Sequence, residues 1–271
     1  MRLVGTGYRL PLAGWIEFPS SGVQCVEITA EHFFDETPKS RERLKTLSEK
    51  FPVYLHGLGL SLGTPGPVEK TTWDKFTEIS KQCNPKWVSE HISFTRTPEV
   101  DLGHLNPVRP TLATLGVFKE HVQELKVRCG KPVILENITS HLALGGEFCE
   151  TEFINRLCQE AGCGLLLDAT NLFINSRNHG FDPKAWVREL NPENIVQLHA
   201  VGYSLVDGVY QDHHAQPLQN ELLDLISFIC RYAPVQAVTL EWDADFPGEK
   251  VLDAEIHKLK TAASVAAGVP A

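Results

Sequence analysis

Six short apolar runs in this chain finish on a residue type that binds metal ions. "YLH" ends at His56, "SEH" at His91, "VILE" at Glu136, "LLLD" at Asp168, "QLH" at His199 and "TLE" at Glu241. A further cluster, Asp212-His213-His214, follows in what reads as the loop after His199. Any one of these is readily an ordinary hydrogen-bonded polar group at a strand end. Six together are not, because carboxylates and imidazoles crowded at one buried rim repel or go unpaired, at a cost on the order of several kcal/mol. Multivalent cations remove that cost. Nitrogen and oxygen donors without cysteine suit iron, manganese or zinc better than an iron–sulfur cluster. The set His56, His91, Glu136, Asp168, His199, Asp212, His214 and Glu241 exceeds what one ion needs, so two or three ions are expected.

Alternation along a strand sends side chains of one parity to one face. His56 shares parity with Tyr54, Asp168 with Leu166, and Glu241 with Thr239 and Asp243, so each can project into a common mouth. Asp243 is then either a proton carrier in the reaction or the partner that orients a metal-bound histidine. Asn171 in "DATN" is a ligand, a donor behind one, or a helix N-cap. His179 in "NHGFDP" is a substrate contact or a histidine anchored by its own turn. His104 and Arg109 in "GHLNPVRP" lie in a proline-containing loop suited to a lid or an anion contact. Glu27, Glu31 and His32 lie at the end of the second apolar run and are expected to buttress the rim rather than bind metal.

These residues need strands to deliver them. The runs are "LVGTGYR", "QCVEITAE", "PVYLHGL", "KWVSEHISF", "PVILENI", "GLLLDATN", "IVQLHAV" and "AVTLEWD". Between most of them lie segments such as "KSRERLKTLSEK" and "TLGVFKEHVQELKVRC", whose apolar positions recur at helical spacing. Glycine closes two of these helices just before a strand, in "GKPVILE" and "GCGLLLD". Eight strands alternating with helices predict an α/β fold, a single (β/α)8 TIM barrel of the xylose-isomerase kind, whose chemistry gathers at the C-terminal strand ends. A doubly wound open sheet is the alternative, but no G-x-G-x-x-G opens a helix after a strand.

The 271 residues fit one barrel domain over 1–271 with a short flexible C-terminal tail. A net charge of −9 argues against nucleic acid as a partner. No signal peptide opens the sequence and no run of about 18 apolar residues occurs, so neither export nor a membrane span is expected. Seven cysteines without a C-x-x-C pair point to reduced thiols and a cytoplasmic setting.

"LHGLGLSLG", "VSEHISF", "VILEN", "GCGLLLDATN", "NHGFDP", "QLHAVG" and "LEWDADFP" together resemble the multinuclear non-haem iron-dependent oxidases, in order and spacing, from about Gly5 to about Pro247. That family includes the methanobactin-biosynthesis oxidase. The resemblance implies two or three irons of mixed Fe(II)/Fe(III) valence with molecular oxygen as co-substrate. It implies an oxidoreductase that modifies cysteine in a ribosomally made bacterial precursor peptide, often with a partner protein that binds the leader. By motif, His56 and His91 resemble ligands of one iron, Glu136 a bridging ligand with a catalytic part, and Asp168, His199 and Glu241 the ligands of a second. Asp212 and His214 resemble the family's pair at a third, more labile site. Two departures lie near that site: Thr170 stands where the family often has Asn, and "AQPL" follows the pair where an acidic residue and Pro-Val are usual. The competing readings are a metal-dependent sugar isomerase or hydrolase of the xylose-isomerase or endonuclease type, and a non-catalytic metal- or peptide-binding subunit.

Overall fold

All eight apolar runs are strands: β1 (Leu3–Gly7), β2 (Val26–Thr29), β3 (Val53–His56), β4 (Val88–His91), β5 (Val133–Glu136), β6 (Gly164–Asp168), β7 (Ile195–Ala200) and β8 (Ala237–Leu240). In this computed structural model, which describes residues 2–18, 21–35 and 37–265, they form a closed barrel in chain order. The fold is the expected (β/α)8 barrel. The expected tail, from residue 266 onward, lies outside the described residues.

Helices follow most strands, and their ends follow from local chemistry. Thr37, Thr111 and Asp168 each accept a backbone N–H at a helix N-terminus. Gly130 and Gly162 close their helices at φ +61° and +65°, a left-handed turn that glycine adopts without steric cost. Among the described residues, no helix is long and apolar enough to cross a membrane.

The chain's contacts gather into two compact units, one holding the described residues up to Glu27 and from Leu166 onward, the other Ile28–Leu165. In the first, β1 pairs in parallel with β8 from Leu3↔Ala237 to Thr6↔Leu240, and β8 pairs with β7, placing Thr239 beside His199. In the second, β4 pairs in parallel with β3 and β5. Strand interiors are almost wholly buried, as helix-covered parallel strands must be.

Two hairpins depart from the sequence expectation. "DHH" is not a loop: Asp212, His213 and His214 lie on Val209–Gln216, which pairs with Gly202–Val206 across a tight Asp207-Gly208 turn. "GHLNPVRP" likewise falls largely in a strand, Asp101–Pro107, paired with Ser93–Arg96. The polar, exposed outer face of both strands hides them from a search for buried apolar runs. Strand β8 stops at Leu240, so alternation does not extend to Glu241 and Asp243.

Close approach fixes Gly5. A Cβ on Gly5 would lie 1.9 Å from the Cys25 carbonyl oxygen, where backbone meets backbone and neither side yields. Gly5→Ala is expected to destabilise the fold by about 1–3 kcal/mol or more, seen as a lower midpoint in urea unfolding. An unchanged midpoint would show that β1 can shift to accommodate the methyl group.

Candidate metal centre

In the second unit, three neighbouring strands end on ligand residues. The register sets His91 beside Glu136 and His56 beside Ser89. All are buried. His56 Nε2 lies 3.4 Å from Glu136 Oε2 and His91 Nε2 lies 3.5 Å from the same oxygen. The two imidazoles meet edge to face, with centroids 4.7 Å apart.

Both rings are oriented from behind. Ser89 Oγ donates to the Leu55 carbonyl at 3.3 Å, so it accepts from His56 Nδ1 at 2.8 Å. That proton assignment leaves the His56 Nε2 lone pair facing Glu136. His91 Nδ1 lies 3.4 Å from Glu90 Oε2, and Glu90 also accepts the N–H groups of His91 and of Leu60. Carboxylates behind histidines are the usual support of metal-binding imidazoles. A nitrogen lone pair facing a carboxylate oxygen is repulsive until a cation lies between them, so this donor set fits a divalent ion.

In the first unit, Asp168, His199 and Glu241 offer donor atoms within 4.8 Å of one another. His199, fully buried, is held between two carboxylates: Nε2 is 2.7 Å from Glu27 Oε1 and Nδ1 is 3.0 Å from Glu241 Oε2. Gln197 donates from Nε2 to the other Glu27 oxygen at 2.6 Å and to Thr239 Oγ1 at 3.0 Å. Glu27 thus buttresses the rim, as expected from sequence. Asp168 Oδ1 accepts from the Asn171 backbone N–H at 2.6 Å. The N-cap of the helix Ala169–His179 is therefore Asp168, not Asn171, which lies buried in the first turn. Thr170 exchanges two hydrogen bonds with the Val201 backbone, at 2.7 and 3.0 Å, and so ties this helix to the chain just past His199.

A third cluster is half-buried. His214 Nδ1 hydrogen-bonds Asp243 Oδ2 at 3.0 Å, and its Nε2 lies 2.9 Å from Asp212 Oδ1. Glu241 Oε2 is 3.8 Å from the same Nδ1. Burial pushes the His214 imidazole towards neutrality, but the charges of Glu241, Asp212 and Asp243 outweigh it and hold its pKa well above the usual histidine value. A metal ion bound to His214 would displace that proton. Asp243 has both oxygens engaged, since Arg9 Nη2 lies 2.6 Å from Oδ1.

The remaining sequence candidates stand apart from these clusters. His104 is exposed with Nδ1 against the Leu102 carbonyl, and Arg109 is exposed with Nε donating to the Gly145 carbonyl. His179 is exposed in the last turn of its helix. Ser89, Glu90, Gln197 and Arg9 were not singled out from sequence. Ser89 and Glu90 adjoin His91, but only strand register shows that one serves His56 and the other His91.

The RiPP precursor modification enzyme MbnB/TglH/ChrH family model matches residues 3–264. A UPF0276 protein of Chromobacterium violaceum is 34% identical over 235 residues, covering 86% of this chain and 84% of its own. Among solved structures, D-psicose 3-epimerase with D-tagatose from Clostridium cellulolyticum superposes with a TM-score of 0.65 at 13% identity, covering 97% and 99% of the two chains. Endonuclease IV from Thermus thermophilus gives 0.60 at 16% identity, covering 97% and 99%. At such identities the two structures share the barrel with this chain and nothing more.

The Glu27–His199 contact generates a prediction. Glu27→Gln keeps the shape of the side chain but removes the charge behind the imidazole. Affinity for a divalent metal, measured by chelator competition, is expected to fall about 10- to 100-fold. A change of less than about twofold would remove Glu27 from any role in orienting His199.

Proposed function

The chain belongs to the MbnB/TglH/ChrH family of RiPP precursor modification enzymes, and on that premise we propose that it is a multinuclear iron-dependent oxidase acting on a cysteine of a precursor peptide. The observation that carries this reading is the convergence of His56, His91 and Glu136, with each imidazole oriented from behind. Asp168, His199 and Glu241 would hold a second ion, and Asp212 and His214 a third. Glu136 is assigned the shared, bridging carboxylate on the strength of its motif. Bound there, iron supplies redox chemistry with molecular oxygen and an open position for a thiolate.

The chain's own groups do the rest. Ser89, Glu90 and Glu27 keep the imidazoles in one tautomer and one direction. Asp243 Oδ2, 3.0 Å from His214 Nδ1, is the group assigned to hold or pass a proton, and Arg9 fixes its position through Oδ1. Asn171, His179, His104 and Arg109 are assigned to substrate or to support of the ligands. A leader-binding partner protein and a cytoplasmic setting complete the reading. Strand-end donors alone also suit a sugar isomerase or hydrolase; family membership favours the peptide.

The test uses a cognate cysteine-containing peptide with its partner protein. Added without oxygen to iron-loaded protein, it should perturb the absorption spectrum, and oxygen admitted afterwards should change the peptide's mass. The Cys→Ser peptide should do neither, because a serine hydroxyl stays protonated. Equal behaviour of the two peptides would sink the thiolate reading. Protein purified under low oxygen is expected to carry more than one iron per chain by elemental analysis; a single zinc with no iron binding contradicts it.

A second comparison concerns the ligands. Glu136→Ala should lose most bound metal and all turnover, whereas Asp212→Ala should keep a dinuclear core. Equal metal content in the two variants would rule out a bridging Glu136.

A further inference from the structure

A cavity of about 430 Å³ in the second unit is walled by Phe34, Leu58 and Leu105 and by the polar side chains of Glu31, Arg96 and His104. Such a volume is within the range of small-ligand sites. Chain connectivity ties its wall to the candidate metal centre. Leu58 and Gly59 follow His56 by two and three residues, and their N–H groups both donate to Glu31 Oε1 at 2.9 Å. The next N–H, of Leu60, donates to Glu90 at 2.8 Å, the carboxylate behind His91. Three successive amides held by two carboxylates make this wall a fixed surface.

The hairpin Ser93–Arg96 with Asp101–Pro107 brings the other polar groups. Arg96 donates from Nη2 to the Gly59 carbonyl at 3.4 Å and has no carboxylate within ion-pair distance among the described residues. A guanidinium carries five N–H donors, so most of them remain for a ligand. His104 Nδ1 lies 2.7 Å from the Leu102 carbonyl, which only accepts. Nδ1 therefore carries a proton, and in that tautomer of the uncharged ring Nε2 is an acceptor. Beside the apolar side chains, Arg96 offers N–H donors and His104 an acceptor, and such a pair matches an uncharged peptide group, whose C=O accepts and whose N–H donates. Glu31 and Asp101 in the same wall weigh against an anionic ligand.

We propose that this cavity receives the backbone of the substrate peptide beside the residue being modified, with one peptide group held between Arg96 and His104. The proposal rests on the peptide-substrate reading above and adds to it the place where the peptide is gripped.

Panning the intact chain against a displayed library of short random peptides containing one fixed cysteine supplies the probe. Each backbone amide of a selected peptide is then N-methylated in turn, and affinity is measured for the wild type, His104→Ala and Arg96→Ala, with folding checked by circular dichroism. One N-methyl position should weaken wild-type binding about tenfold and have no effect in His104→Ala. Arg96→Ala should weaken the unmodified peptide by a similar factor. If the alanine variant does not fold, His104→Phe keeps a ring, loses the acceptor and carries the same test. Peptides that bind with no N-methyl position coupled to position 104 would overturn the cavity assignment and leave the peptide reading standing. Enrichment of no peptide at all would overturn the cavity assignment as well, while the peptide reading stands or falls by the cognate peptide with its partner.

Discussion

A buried imidazole between two carboxylates is the constraint around which this molecule is arranged. His199 has no exposed surface, yet Glu27 and Glu241 both approach within 3.0 Å. Charges placed so deep are costly unless each is paired and hydrogen-bonded. The strands β1, β2, β7 and β8 answer that cost. They bring Gln197, itself bonded to Thr239, to the second oxygen of Glu27, so that the buried carboxylate is met by His199 on one side and Gln197 on the other. An apolar barrel mouth would be easier to fold; this one spends stability on fixing donor atoms.

The donor sets differ in rigidity. His56, His91 and Glu136 project from adjacent strands, and their supports are backbone or neighbouring strand residues, so the geometry is set by the sheet itself. Asp212 and His214 are carried by a hairpin that is half exposed, and His214 has a left-handed backbone at φ +51°. Its supports, Asp243 and Arg9, are side chains that reach it from elsewhere in the first unit. Donor groups on such an element are positioned less firmly for any ion than those at strand ends.

The barrel carries little information about reaction type. A D-psicose 3-epimerase and an endonuclease IV share it with this chain at 13% and 16% identity. What separates such proteins is which donors stand at the strand ends and which groups stand behind them. Here the strand-end donors are imidazole and carboxylate, while five of the seven cysteines are buried in the core, as packing rather than as ligands would be.

By itself the sequence determined the barrel and most of the strand-end histidines and carboxylates that the structure brings together. Apolar runs of strand length alternate with helical periodicity, and six of the eight runs end on a histidine or a carboxylate. Those are local signals, and local signals survive in a linear string. The hairpins were not legible, because a half-exposed strand carries no apolar run; Asp212 and His214 looked like loop residues for that reason. Nor were the supports. Ser89 serves His56 rather than its neighbour His91, Glu27 meets His199 across 172 positions, and Arg9 meets Asp243 across 234. Nothing in the residues between them encodes those distances. Closing a parallel sheet in register decides them, because only the pairing of strands sets which side chain stands behind which.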